Sequence, residues 1–124
     1  MESNHATDLL QVGPYAASTK ARIAGERGHL SNEALARFIR EDLGASVECL
    51  VLAHLSRVNN LPELAALTCR DALEASGRSD VRVVVSHQDR VTETVRLDVR
   101  PARFGSDLSP GRQIALPLQV STTS

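Results

Sequence analysis

Five consecutive apolar residues, Cys49-Leu50-Val51-Leu52-Ala53, lie between two segments of helical periodicity, and this arrangement constrains the fold more than any other feature. An apolar run that short, closed by polar loop chemistry, reads as a buried strand, expected over Val47 to Ala53. Upstream, Leu35, Phe38, Ile39 and Leu43 form one stripe while Arg37, Arg40 and Glu41 face water; Ser31 or Asn32 can cap this helix, and Gly44 ends it. Downstream, Asn60 and Glu63 fit a capping box for a helix through Ala75, stopped near Gly77. Helix, strand, loop, helix is the signature of an α/β domain. The strand runs out at His54, and Ser56-Arg57-Val58-Asn59-Asn60 carries the chain into the loop. The end of an α/β strand is where such folds gather ligands, so His54 is either a metal ligand or a hydrogen-bonded structural histidine.

With 124 residues and 42% apolar content, the chain is long enough for one domain with a modest core of Leu, Val, Ile and Ala. One Tyr, two Phe and no Trp leave almost no aromatic surface for stacking bases. A net charge of -1 and a pI near 6.4 give no general attraction to nucleic acid or anionic membranes, so any nucleic-acid contact must be local. Cys49 and Cys69 lack metal-ligand spacing and read as buried free thiols, which suits a reducing, cytoplasmic location. The N-terminus is polar and no apolar run approaches the ~18 residues that span a bilayer, so no membrane association is expected.

Elsewhere the chain reads as shorter pieces. Ala6 to Val12 allows a helical turn stopped by Gly13-Pro14, and Ala16 to Glu26 a second helix ending at Gly28. Val81 to Val85 reads as a strand pairing with the interior Val47–Ala53 strand. A further strand over 94–99, with Asp89-Arg90 between, predicts an antiparallel pair. Residues 1–100 are therefore taken as the domain, and 101–124, rich in Pro, Gly, Ser and Thr, as a disordered tail.

The four histidines, His5, His29, His54 and His87, are at least 24 residues apart, so no HxHxDH or HExxH motif is present and any metal site must be assembled by the fold. His29, in Gly28-His29-Leu30-Ser31-Asn32, stands before a helix N-terminus, where the dipole favours anions and lowers an imidazole pKa; it is either a loop residue or part of a site. His87 reads as solvated. Glu2 and His5, flanking Ser3-Asn4, read locally as a frayed polar terminus.

Three runs taken together, Glu2-Ser3-Asn4-His5, Gly28-His29-Leu30-Ser31-Asn32 and Leu52-Ala53-His54-Leu55-Ser56 followed by Asn59-Asn60, resemble the C-terminal half of metallo-β-lactamase-fold hydrolases, most nearly the YycJ/WalJ type. Gly13-Pro14-Tyr15, Lys20 and Arg22-Ile23 extend the resemblance over roughly residues 2–98. It implies an αββα sandwich with a mixed sheet flanked by helices, and two divalent metals, zinc or manganese, at the sheet edge. His54 is then the metal ligand. A looser similarity to ribonuclease Z matches Glu2 to the Glu of its HEAT motif and His29 to the His of its HST motif, a pair that passes a proton toward the leaving oxygen. With His5 from the same run, Glu2 and His29 make up the implied catalytic set.

The chain departs from that pattern in ways that bear on activity. The HxHxDH motif, a further His and a bridging Asp, which precede this region in the family, are absent; Ala6 stands where an Asp often follows the Asn-His pair, and Ala16-Ala17 replaces a Pro-Trp. The chain is therefore expected to be the C-terminal part of a longer metal-dependent phosphodiesterase or nuclease, read from an internal Met or left by truncation. Alone it is expected to bind no metal tightly and to be inactive. The alternative is a non-enzymatic fragment, pseudoenzyme or interaction module whose partner is the missing N-terminal half or a second copy of itself.

Overall fold

The computed structural model describes residues 1–96, of which Met1–Thr94 form one compact unit. The expected tail and half of the 94–99 strand lie outside the described residues, and Thr94 to Arg96 are not in a strand.

The α/β pattern is present as α1 (Thr7–Val12), α2 (Ala17–Ala24), α3 (Asn32–Asp42), β1 (Cys49–Leu52), α4 (Pro62–Ala75) and β2 (Arg82–Val85). β1 and β2 pair in parallel, Leu50 opposite Val83 and Leu52 opposite Val85. Parallel neighbours require a crossover, and α4 supplies it, making β1-α4-β2 a βαβ unit. Among the described residues the sheet is this parallel pair, not the mixed sheet expected, and the sandwich implied by the resemblance is not established. The expected pairing of the Val81–Val85 strand with the Val47–Ala53 strand is present, and its sense is parallel.

Side chains from α3 (Leu35, Ala36, Ile39), β1 (Leu50, Leu52) and α4 (Ala65, Cys69, Ala72, Leu73) form one core with Leu55 and Val81. The α4 side of that core is mostly small residues, which lets α3 and α4 approach closely. Phe38 does not belong to it, being 36% exposed. At about 100° per residue, Asn32, Leu35, Ala36, Ile39 and Leu43 fall within one sector, and Phe38 lies roughly 110° from its centre. Burial pushes the Cys69 thiol up to about 11 and keeps it protonated, whereas Cys49 is half-buried rather than buried.

Helix ends were only partly legible. Ser31 caps α3 by accepting the Ala34 N–H at 3.1 Å, leaving Asn32 inside the helix with a buried side chain. The Asn60/Glu63 capping box does not form: Leu61 is the N-cap and Pro62, whose ring pre-sets the helical φ, opens α4. At the other end Gly77, at φ 71°, closes α4 with the Gly77 N–H on the Glu74 carbonyl (3.0 Å) and the Arg78 N–H on that of Leu73 (2.7 Å). The Arg78 guanidinium then donates to the carbonyls of Val47 (2.5 Å) and Gly44 (3.2 Å), fixing the turn that launches β1.

The N-terminal run is not frayed. Met1 to Ser3 lie along the far side of β1, with the Ala53 N–H on the Met1 carbonyl (2.9 Å), the Ser3 N–H on that of Ala53 (3.1 Å) and a parallel bridge between Glu2 and Ala53. β1 is thereby interior, and Ser3 and His5 are buried.

Candidate active site

Three loops meet where β1 ends: the N-terminal run, the turn before α3 that carries His29, and the turn after β1 that carries His54. The Asn4 N–H bonds the Leu30 carbonyl (2.8 Å), the Asn32 N–H bonds that of His5 (2.8 Å), and the Ser56 N–H bonds that of Asn4 (2.8 Å). His29 is placed by a tight return from α2, its own N–H bonding the Ile23 carbonyl at 2.8 Å. A Cβ at Gly28 would collide with the Ile23 and Arg22 backbone, so glycine is required there.

These ties bring Glu2, His29 and His54 together. One carboxylate oxygen of Glu2 lies 2.7 Å from His29 Nδ1 and 3.9 Å from His54 Nδ1; the other accepts the Leu30 N–H at 3.1 Å. Burial pushes the Glu2 carboxyl up, but the Leu30 N–H, the His29 hydrogen bond and the two imidazoles outweigh it and hold the carboxyl below its ordinary range. An ionised Glu2 can only accept, which assigns the proton of this contact to His29 Nδ1 and leaves Nε2 to exchange protons. The side chains of His29 and His54 are 54% and 78% exposed, against 26% for Glu2. A half-buried carboxylate thus hydrogen-bonds one imidazole that reaches solvent and faces a second.

His54 stands at φ 60°, and no other non-glycine residue among those described has positive φ. Left-handed backbone is uncommon for residues with a Cβ and concentrates at functional sites. Beside it opens a cleft of about 730 Å³ whose lining includes Asn4, Arg22, His29, His54, Ser56 and Gln88. His87, expected to be solvated, is half-buried on the same cleft and pairs with Arg90 at 2.8 Å. His5 lies behind the exposed pair: it is buried, its Nδ1 has no partner, and burial lowers its pKa even though Glu33 and Glu2 favour its charged form.

Beneath the site is a polar cluster that sequence reasoning missed. The Asn32 and Asn60 amides pair reciprocally at 2.9 Å, Ser3 Oγ donates to Asn32 Oδ1 at 2.6 Å, and Asn60 Nδ2 also donates to the Ser3 carbonyl at 2.8 Å. Asn60 Oδ1 further accepts the Leu61 N–H at 2.9 Å, so the side chain expected to cap α4 joins the cluster. The available signal was an asparagine at the start of each of two helices, which capping appeared to explain.

The donor set limits what the chain can hold. No three His, Cys, Asp or Glu side chains among the described residues converge as a metal-holding group. A catalytic zinc needs about three protein ligands, so these residues alone do not fit the metal centre that the resemblance implies. His54 can offer one exposed imidazole.

Part of this chain is similar to exodeoxyribonucleases of the metallo-β-lactamase family. The exodeoxyribonuclease WalJ of Streptococcus pneumoniae strain D39 is 43% identical over 68 residues, 55% of this chain and 25% of that protein, and that of strain R6 matches equally. The exodeoxyribonuclease YycJ of Bacillus anthracis is 38% identical over 76 residues, 61% of this chain and 29% of that protein. The resemblance read from the sequence is borne out as a partial YycJ/WalJ-like one, and the chain spans little more than a quarter of the length of these relatives. No family model matches the chain, and no solved structure matches it. No helix among the described residues is long and apolar enough to cross a membrane.

Proposed function

We propose that this chain is the C-terminal part of a metal-dependent, nuclease-like phosphodiester hydrolase, inactive alone, with nucleic acid as the substrate of the complete enzyme. The observation that carries this reading is the shared carboxylate: Glu2 holds His29 at 2.7 Å and faces His54 at 3.9 Å on the rim of an open cleft. The likeness to proteins named exodeoxyribonucleases supports the substrate class.

In this reading His29 is the general acid. Protonated at Nε2, it gives that proton to the oxygen leaving phosphorus as water adds and the P–O bond breaks. Glu2, bonded to Nδ1, stabilises the imidazolium before transfer and keeps the ring in place after it. His54 is the chain's contribution to a zinc or manganese centre whose other ligands come from outside the described residues, so no tight metal binding is expected of the chain alone. His5, bonded to neither Glu2 nor His29, belongs to the buried wall. The cytoplasmic location expected from the free cysteines accords with this reading.

The half-buried face of β1 bearing Cys49 and Val51 favours a second reading, an interaction module whose partner is the missing half or a second copy. Co-expression with an HxHxDH-bearing N-terminal half separates the two. In the restored enzyme, His54→Ala should lower bound metal and DNA hydrolysis together, whereas His29→Ala should retain metal and slow turnover by roughly 100-fold or more. Metal loss in His29→Ala equal to that in His54→Ala would make His29 a ligand. A complex without hydrolysis would leave the interaction reading standing.

A further inference from the structure

We infer that Asn4 is a positioning residue that holds His54 in its left-handed backbone conformation and sets both site imidazoles against the Glu2 carboxylate. Asn4 Nδ2 donates to the His54 carbonyl at 2.7 Å. The neighbouring peptides are tied to the same run: the Ala53 N–H bonds the Met1 carbonyl at 2.9 Å, and the Ser56 N–H bonds the Asn4 carbonyl at 2.8 Å. The 53–54 peptide is fixed as well, its Ala53 carbonyl accepting the Ser3 N–H at 3.1 Å, while the His54 carbonyl, in the peptide that follows the φ 60° residue, is held by one side-chain amide. A residue with a Cβ leaves this conformation readily unless something holds it.

The residue type follows from the chemistry. The Asn4 amide is a donor facing a carbonyl acceptor, whereas an aspartate of the same shape would set a carboxylate against that oxygen. Through its own N–H on the Leu30 carbonyl at 2.8 Å, Asn4 also anchors the turn that bears His29. One residue thus spans the two histidine turns, its backbone N–H bonding the His29 side and its side-chain amide the His54 side. Removing the side-chain contact should move His54 and leave His29 in place.

The catalytic consequence rests on the proposed function, but the conformational claim does not. NMR on the full chain tests it. In Asn4→Asp, the backbone coupling and Cα shift of His54 should leave the left-handed range and the ring's contact with the Glu2 side chain should be lost, while the His29–Glu2 contact persists. A His54 φ and ring contact unchanged in Asn4→Asp would overturn the inference, as would simultaneous loss of both imidazole contacts. A thermal cycle gives an independent reading: the drop in Tm caused by Asn4→Asp should shrink by at least half in a His54→Gly background, where glycine adopts the conformation unaided. Equal drops in both backgrounds would also overturn it. Should Asn4→Asp not fold, Asn4→Ser, too short to reach the carbonyl, is read in the same cycle. If Asn4→Asp moves His54 but the co-expressed enzyme hydrolyses no DNA, the functional reading fails and the role of Asn4 stands.

Discussion

The core around α3, β1, α4 and β2 and the seam around Met1 to His5 are both buried, yet opposite chemistry holds them. Leu35 and Leu52 are almost wholly removed from water among other hydrocarbon side chains, and so is Ser3 among amides. Apolar packing is non-directional, so many side chains of suitable size can satisfy the first region. The second is directional: each side-chain polar atom of Ser3, Asn32 and Asn60 has a named partner, and losing one leaves another polar group buried without compensation. The core keeps the chain folded, and the seam decides where Glu2, His29 and His54 stand.

The sharpest way to break this contrast begins in the core. Leu52→Ala, at the centre of β1, should destabilise the chain by about 2 to 5 kcal/mol in urea titrations, because a fully buried methyl-bearing side chain leaves a cavity. A much smaller loss would mean that the core relaxes around the gap. Asn60→Ala should follow at about 2 to 3 kcal/mol despite removing few apolar atoms, since Asn32, the Ser3 carbonyl and the Leu61 N–H all lose a partner. Combined with Asn32→Ala it should fall short of additivity; additive losses would show that the two amides do not act as a unit.

Acidification should also weaken the seam before it touches the core. The folded pKa of His5 lies below its ordinary value of 6.5, so the unfolded chain binds the proton first, and stability present above 6.5 declines as pH falls toward the folded pKa. Glu2 and Glu33, both lowered from 4.5, withdraw their contributions only below that value. Urea midpoints at pH 7.5 and 5.5 should therefore differ, and His5→Asn should flatten the difference; an unchanged pH dependence would remove His5 from this account. The smallest effect belongs to Phe38→Ala, at about 1 kcal/mol or less, because the ring lies on the rim of α3. A loss near that of Leu52→Ala would show that the aromatic ring packs as a core residue after all.

Legibility followed the same division. Leu35 and Ile39 on α3, and the Leu50–Leu52 run of β1, announce themselves by period and length, which survive without knowledge of any partner. Phe38 misled because hydrophobicity was counted without its angle around the helix. Asn60 misled because its capping pattern was local, whereas its actual partners, Ser3 and Asn32, are 57 and 28 residues away. The N-terminal run read as frayed for the same reason: its polar residues gain partners only when β1 and α3 arrive beside it.

By itself, the sequence determined the α/β class, the two principal helices and the interior strand, and through resemblance it singled out Glu2, His29 and His54, which the fold brings together. Local periodicity and residue chemistry carry that information along the chain. Tertiary structure alone decided that the pairing of β2 with β1 is parallel, that Asn32, Asn60 and Ser3 close a buried cluster, and that His54 turns left-handed beneath the Asn4 amide. Hydrogen bonds between distant segments depend on relative placement to within a few tenths of an ångström, and no local pattern encodes that.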